Sequence, residues 1–436
     1  MTSPRRFEQD LPALLADLYL AGTPDYRDDI VRQTARVRQR PAWTFPERWL
    51  PMDLTRPSVF GPAVPWRQLG ALALVALLIA AALAAYIGSS RRLPAPFGPA
   101  SNGVVALVDD TGAIQQVDPV TGQAIMIVPG PGNSRPTYSP NGSRLAYLRA
   151  NGFTAFDIVV ARSDGQGPVV ITPKPLSEVV YLGWSPDSAK IVISVAAGRI
   201  DVYDATTAGP ARTIAVDGQR FGATGFDNFN PSIQDVFRPP AGQQVVFIGE
   251  TAAGPALFIA DADGSNARPI IDRDHSKVAY HDLDMPQWSP DGSRIALILG
   301  SPDDPNQRRV YVVDADGSDL RLVSHETRPH SDNNAAWSPD GSHIAFQRWY
   351  ADASGGLSVT QPITVVGVDD GTEVQVGIVN VDGYLGWSWS PDGTAILEVA
   401  QNTDEKRLQV VPIDGSAPRF VDINPADAPS WQRQSE

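Results

Sequence analysis

One pattern returns six times along the chain and constrains its architecture more than any other feature. It occurs as YSPNGSRLAYL from Tyr138, WSPDSAKIVIS from Trp184, WSPDGSRIALI from Trp288, WSPDGSHIAFQ from Trp337 and WSPDGTAILEV from Trp389, with a degraded copy, FRPPAGQQVVF, from Phe237. Successive starts lie 46, 53, 51, 49 and 52 residues apart. A period of that size marks repeat units such as propeller blades, and it reconciles a chain of 436 residues with modest individual cores.

Each copy reads as a hairpin. An aromatic residue ends one strand. In the Ser-Pro-Asp-Gly turn that follows, proline presets φ and glycine accepts a positive φ. The next segment, of the Arg-Ile-Ala-Leu type, reads as an alternating second strand. A third strand such as VYVVD (310–314), a second turn such as DADGSD (314–319) and a fourth strand such as LRLVS complete a four-stranded unit. The ends of the chain complement each other. GVVALVDD (103–110), AIQQVDP (113–119) and AIMIVP (124–129) match the second, third and fourth strands of a unit that lacks its first. Trp431, in PSWQRQ, matches a first strand with nothing after it. Joining them gives an all-β propeller of seven blades, with six as the alternative count, because radial closure protects sheet edges.

These WSPDG units resemble the repeats of TolB-type propellers, which are related to WD repeats and to the propellers of prolyl oligopeptidase-like enzymes. The resemblance covers residues 103–434. It implies the fold and leaves activity open, since one fold hosts many functions.

Ahead of the repeats, LGALALVALLIAAALAAYI runs from Leu69 to Ile87 without a charge, long enough to span a bilayer as a helix. Trp66 and Tyr86 sit at its ends, where amphipathic aromatics favour the interface. The expected organisation is a cytoplasmic helical tail (1–67), a transmembrane helix (68–88), a linker (89–102) and the propeller (103–434). Residues 1–67 carry ten Arg against eight Asp and Glu, whereas 93–436 carry 23 basic and 41 acidic residues. The Arg-rich side sets the N-terminus inside and the propeller outside, in a bacterial cell membrane. Within the tail, Phe7, Leu11, Leu14, Leu15 and Leu18 form one helical stripe, and Tyr26, Ile30 and Val37 a second. Such short helices need each other, the bilayer or a cytoplasmic partner. The layout of tail, span and outer domain resembles membrane-bound anti-sigma regulators, without their Cys/His zinc motif.

The acidic body makes a poor nucleic-acid binder, because phosphate neutralisation dominates that affinity. The chain has no cysteine, which excludes disulfides, thiolate metal sites and cysteine nucleophiles. No nucleophile elbow, P-loop or zincin motif occurs, and Ser388 in LGWSWSPDG belongs to a propeller turn. No cofactor is implied. The D-A-D-G-S strings at 261–265 and 314–318 read as hairpin turns rather than calcium loops, since the late acids of such loops are missing.

Four histidines stand out. His275 and His281 precede the aromatic at Trp288, and His325 and His330 precede Trp337, in the company of Asp274, Asp282, Asp284 and Asp332. Imidazole with carboxylate can ligate zinc or a similar ion, which makes His275, His281, His325 and His330 weak metal candidates. Solvated loop residues are the simpler reading. The loops entering first strands (133–137, 281–287, 331–336, 381–386 and 424–430) vary in sequence, while the opposite turns repeat. A protein or small-ligand partner is therefore expected on the entry face, near His281, Asp284, His330 and Asp332. The function expected is a non-catalytic binding or sensing module. The alternative is a metal-assisted hydrolase or lyase that uses the central face.

Overall fold

The computed structural model describes residues 98–434, apart from 178, 196–198, 215–236, 275, 305–306, 326–329, 351–359, 381–385 and 403–404. The tail, the apolar run Leu69–Ile87 and most of the linker lie outside the described residues. No helix among the described residues is long and apolar enough to cross a membrane.

The first blade contains β1 (Ser101–Val108), β2 (Ile114–Val117) and β3 (Ala124–Val128). The second contains β4 (Asn133–Tyr138), β5 (Arg144–Ala150), β6 (Ala155–Arg162), β7 (Val169–Val170) and a short β8 (Leu176–Ser177). The third contains β9 (Val179–Trp184), β10 (Lys190–Val195), β11 (Arg199–Asp204) and β12 (Arg212–Ile214). In the fourth, β13 (Gln244–Thr251), β14 (Gly254–Asp261) and β15 (Arg268–Ile271) are joined by a single bridge from Phe237 to Val245. That bridge is where the degraded repeat copy falls. The fifth contains β16 (Leu283–Trp288), β17 (Arg294–Gly300), β18 (Arg308–Asp314) and β19 (Arg321–Leu322). The sixth contains β20 (His330–Trp337), β21 (His343–Tyr350), β22 (Thr360–Gly367) and β23 (Glu373–Asn380). The seventh contains β24 (Trp387–Trp389), β25 (Ala395–Asn402), β26 (Glu405–Pro412) and β27 (Arg419–Val421), and β28 (Ser430–Gln434) ends the chain.

These strands form seven antiparallel sheets, one per blade, and β28 joins the first as its innermost strand, in the order β28-β1-β2-β3. Trp431 lies opposite Val105, so the last residues supply the strand that the first blade lacks. The first strands of neighbouring blades touch one another, which places them on the inside of the ring.

The Ser-Pro-Asp-Gly turn is held by its own side chains. The Ser289 hydroxyl donates to Asp291 Oδ1 at 2.6 Å, and Asp291 Oδ1 accepts the Ser293 N–H at 3.0 Å. Ser289 Oγ in turn accepts the Arg294 N–H at 3.0 Å, closing the turn from both sides. The same bonds recur at Ser338–Asp340 and Ser390–Asp392, and Asn141 takes the aspartate's place beside Ser139. The last turn position has a left-handed backbone, which glycine adopts without strain. Gly341 and Gly393 have φ of 72° and 74°. Ser188 takes the same place in the third blade, at φ 60°. The D-A-D-G-S strings are hairpin turns, as read from the sequence: Gly264 N–H donates to the Asp261 carbonyl, and Gly317 N–H to that of Asp314, each at 2.8 Å.

The second strands depart from the alternation read in the sequence. Ile295 to Gly300 are all buried, as are Val105 to Val108 and Leu145 to Leu148. A blade is sandwiched between two others, so both faces of its second strand are dry and the strand is a solid apolar run. Ile295, Leu297 and Leu299 pack against the fourth blade, while Ala296 packs against the sixth. Each pair of successive blades shares one such core, and Leu397 and Val399 of the seventh pack on Val105 and Leu107 of the first. Seven interfaces close the ring, which decides the count against six. Burying one such aliphatic side chain contributes ~1.5–3 kcal/mol.

The conserved position of the aromatic within each copy has a second use. The Trp184 indole N–H donates to the Thr137 carbonyl at 3.1 Å, Trp337 to Gln287 at 3.2 Å and Trp389 to Ala336 at 3.1 Å. Each bond reaches the preceding blade, at the residue just before that blade's own aromatic.

Candidate functional site

At the end of the sheets opposite the Ser-Pro-Asp-Gly turns, three first strands carry the same irregularity. The register of β4 on β5 shifts between Ser134 and Thr137, that of β16 on β17 between Asp284 and Gln287, and that of β20 on β21 between Asn333 and Ala336. Arg135, Met285 and Asn334, each three residues before the blade's aromatic, have left-handed φ of 52°, 49° and 55°. A non-glycine residue held there costs about 1–3 kcal/mol, so each bulge needs fixing by its neighbours. In the second blade, Arg135 N–H donates to Asp427 Oδ2 at 2.7 Å. In the fifth, Met285 N–H donates to Asp284 Oδ1 at 2.9 Å. In the sixth, the Asn334 amide donates to Gln347 Oε1 at 2.6 Å.

Around the fifth blade's bulge one guanidinium serves two carboxylates. Arg308, at the start of β18, pairs with Asp282 and, at 3.3 Å, with Asp284 Oδ2. Burial pushes the Asp284 carboxyl up to about 6, against the pull of Arg308 and the Met285 N–H, and the Asp282 charge adds to the rise.

The sixth blade holds a longer chain of charges. His330 Nε2 lies 3.2 Å from Asp332 Oδ2, and both side chains are 0% exposed. Arg348 Nε donates to Asp332 Oδ1 at 2.8 Å and its Nη1 to Glu373 Oε2 at 2.7 Å. Burial opposes the Arg348 charge, but the bonds to Glu373 and Asp332 outweigh it and hold the guanidinium above its ordinary value. Arg309, next to Arg308, crosses from the fifth blade to donate to the His330 carbonyl. Burial holds Arg309 below its usual range, with the Asp332 charge opposing that shift and the Arg348 charge adding to it. Two successive arginines of β18 thus tie the entry ends of two blades, one to the acids of its own blade and one to the next.

The sequence expected His281, Asp284, His330 and Asp332 on exposed entry loops. The structure places them differently. Only His281 is exposed. Asp284 lies within β16, and His330 and Asp332 within β20, all three buried. The reason is that 133–137, 283–287 and 331–336 form part of the first strands β4, β16 and β20, whereas 424–429 precedes β28 and 381–385 lies outside the described residues. His325 is exposed on the connection after β19, with its N–H donating to Glu373 Oε1 at 2.7 Å, and His275 lies outside the described residues. The structure brings His330 and Asp332 together, and separately Asp284 with Asp282. Among the described residues no three His, Cys, Asp or Glu side chains are grouped so as to hold a metal ion. The arginines that organise both clusters went unread. The signals were present: Arg308-Arg309 opening an apolar strand, and Arg348 within β21 after the apolar run Ile344 to Phe346.

Comparison with known proteins bears on the fold. No family model matches the chain, and no curated protein matches it. Among solved structures, an oligogalacturonate lyase in complex with manganese is similar at a TM-score of 0.51 and 14% identity, covering 74% of this chain and 85% of that one. The oligogalacturonate lyase of Vibrio parahaemolyticus aligns at 0.51 and 15%, covering 74% and 86%. TolB of Acinetobacter baumannii aligns at 0.44 and 16%, covering 77% and 81%. At these identities the likeness to the two lyases is one of fold alone, and the seven closed sheets make the chain a seven-bladed β-propeller, as its TolB-like repeats imply.

Proposed function

We propose that the chain is a membrane-anchored, extracytoplasmic binding module, with its N-terminus in the cytoplasm and its partner docking on the entry face of the propeller. One observation carries the choice of face. Where the chain joins the propeller it is pinned at the turn end: the Ala100 N–H donates to the Pro391 carbonyl at 2.9 Å, and the Asn102 side chain bonds Asp392 Oδ2 at 2.7 Å. The entry ends of the sheets therefore lie away from the point of attachment. They also carry the varied residues, whereas the turn end repeats one scaffold, and variation is what a specific surface needs.

A binding role fits the charges better than the hydrolase or lyase alternative. Asp284, His330 and Asp332 are engaged with Arg308, with each other and with Arg348, rather than aimed together at one point. Docking then falls to exposed groups at that end, chiefly His281 and Phe153, which is 104% exposed at the tip of the hairpin between β5 and β6. Purified full-length chain carrying Phe153→Asp and His281→Ala should recover less partner from native membranes than the unaltered chain. An exposed change at the turn end, Asp164→Ala, should not. Equal recovery with the entry-face variant, or loss with the turn-end variant, would move the site elsewhere.

A further inference from the structure

The acids of the fifth blade are out of balance with their base. Asp282, just before β16, and Asp284, within it, share Arg308, so a largely buried cluster carries one uncompensated negative charge when both acids are ionised. Asp282 Oδ1 is buried and receives no hydrogen bond. It packs on the backbone of Gly300, where a Cβ would lie only 1.7 Å from it, so nothing larger than hydrogen fits beside Gly300. The other charges nearby are committed elsewhere: Arg309 donates to His330, and Asp332 and Arg348 pair in the sixth blade. The charges that act on Asp284 are Arg308 from β18 and Asp282 from just before its own strand. Two carboxylates served by one base repel each other, and the more deeply buried of them, Asp284, favours holding a proton.

We propose that Asp282, Asp284 and Arg308 form an acid-responsive element of the entry end, which takes up one proton on mild acidification and goes from a net charge of −1 to neutral. The consequence is local. Asp284 Oδ1 holds the Met285 N–H at the left-handed bulge, so the charge that secures the bulge changes with the surrounding pH. Through Arg308 and its neighbour Arg309, the change sits at the junction with the sixth blade. This inference does not depend on whether the entry face binds a partner.

Folding binds the proton more tightly than the unfolded chain does, so this group's contribution is largest at low pH and is lost as pH rises through about 6. The test is thermal unfolding of the purified full-length chain at closely spaced pH values between about 5 and about 7, for the unaltered protein, Asp284→Asn and Asp282→Asn. Across that window the unaltered protein should lose on the order of tenfold in its folding constant. Asp284→Asn should abolish the loss, and Asp282→Asn, which leaves Arg308 to Asp284 alone, should move it to lower pH. Should Asp284→Asn fail to fold, infrared difference spectra carry the test. A protonated carboxyl band must then be present in the unaltered protein at about pH 5.5 and titrate at lower pH in Asp282→Asn. The same pH dependence in Asp284→Asn, or the absence of that band, would overturn the proposal.

Discussion

Trp431 donates its indole N–H to the carbonyl of Gly103 at 3.0 Å, a bond between residues 328 positions apart. It is one of several contacts by which the end of the chain locks the first blade. Ser430 Oγ accepts the Tyr138 N–H at 3.1 Å, and the Gln432 amide donates to the Gly142 carbonyl at 2.8 Å, so β28 also binds the second blade. Deleting residues 427–436 removes the inner strand of one blade and a large aromatic, whose loss alone costs ~3–5 kcal/mol. The truncated chain should melt at a lower temperature, with faster amide exchange at Val105 to Leu107. An unchanged melting temperature would show that the clasp does not hold the ring.

The indole bonds between blades give a graded series. Trp184, Trp337 and Trp389 each donate to the preceding blade, whereas the Trp288 indole N–H is buried without a partner. Replacement of Trp184 or Trp337 by Phe should cost the packing loss plus ~1 kcal/mol for the bond and its stranded carbonyl. Trp288→Phe should cost the packing loss alone. Denaturant unfolding of the variants measures the difference, and equal losses would remove the indole bond from the account.

Arg348 is the base on which the sixth blade's acids depend. Its truncation to Ala strands Asp332, at 0% exposure, next to His330. Breaking a buried pair in this way typically costs ~3–5 kcal/mol. His281→Ala, an exposed change, should stay within ~0.5 kcal/mol. Comparable effects of the two would mean that the buried chain is not a structural unit.

The turn aspartates set the acid limit of stability. Burial raises the carboxyls of Asp291, Asp340 and Asp392, but their hydroxyl and N–H donors outweigh it and hold them below the ordinary value. Their contribution is present above the unfolded value near 3.8 and is lost as pH falls through the lower folded values. This is opposite in sign to Asp284. Asn141 fills the same place in the second blade and accepts from Ser139 and from both donors of Ser143. Asp340→Asn should therefore keep the turn while reducing the loss of stability below about pH 4, read from melting temperatures in acid. An unaltered acid profile would discount the turn carboxylates.

The blade count and the closing strand were legible because they rest on a strong local signal. The turn chemistry of Ser-Pro-Asp-Gly is complete within a few residues, and the missing first strand at Gly103 leaves a gap that only the Trp431 segment fills. The site was only half legible. His330, Asp332 and Asp284 were picked out as chemically distinct, but their surroundings depend on strands far away in sequence. Asp332 meets Arg348 across a β20–β21 pairing, and Arg308 reaches Asp284 from two strands away. Polar residues before an aromatic looked like loop, since a bulge that keeps them in a strand depends on left-handed residues such as Met285, whose side chain gives no sign of it. The apolar second strands were misjudged for a related reason: alternation holds for a sheet with one wet face, and a blade has none near the ring's interior.

The central claim, an outer propeller whose entry face receives a partner, meets its most direct test in cysteine labelling, because the chain has no cysteine of its own. Phe153→Cys and Asp164→Cys place single thiols at the entry end and the turn end of the second blade. A membrane-impermeant maleimide should label both on intact cells. A cysteine introduced within residues 1–67 should react only after lysis. Phe153→Cys should react more slowly in native membranes than in the purified chain, while Asp164→Cys reacts alike in both. Labelling of the propeller positions only after lysis would contradict the topology, and equal rates at Phe153→Cys in the two settings would contradict docking at the entry face.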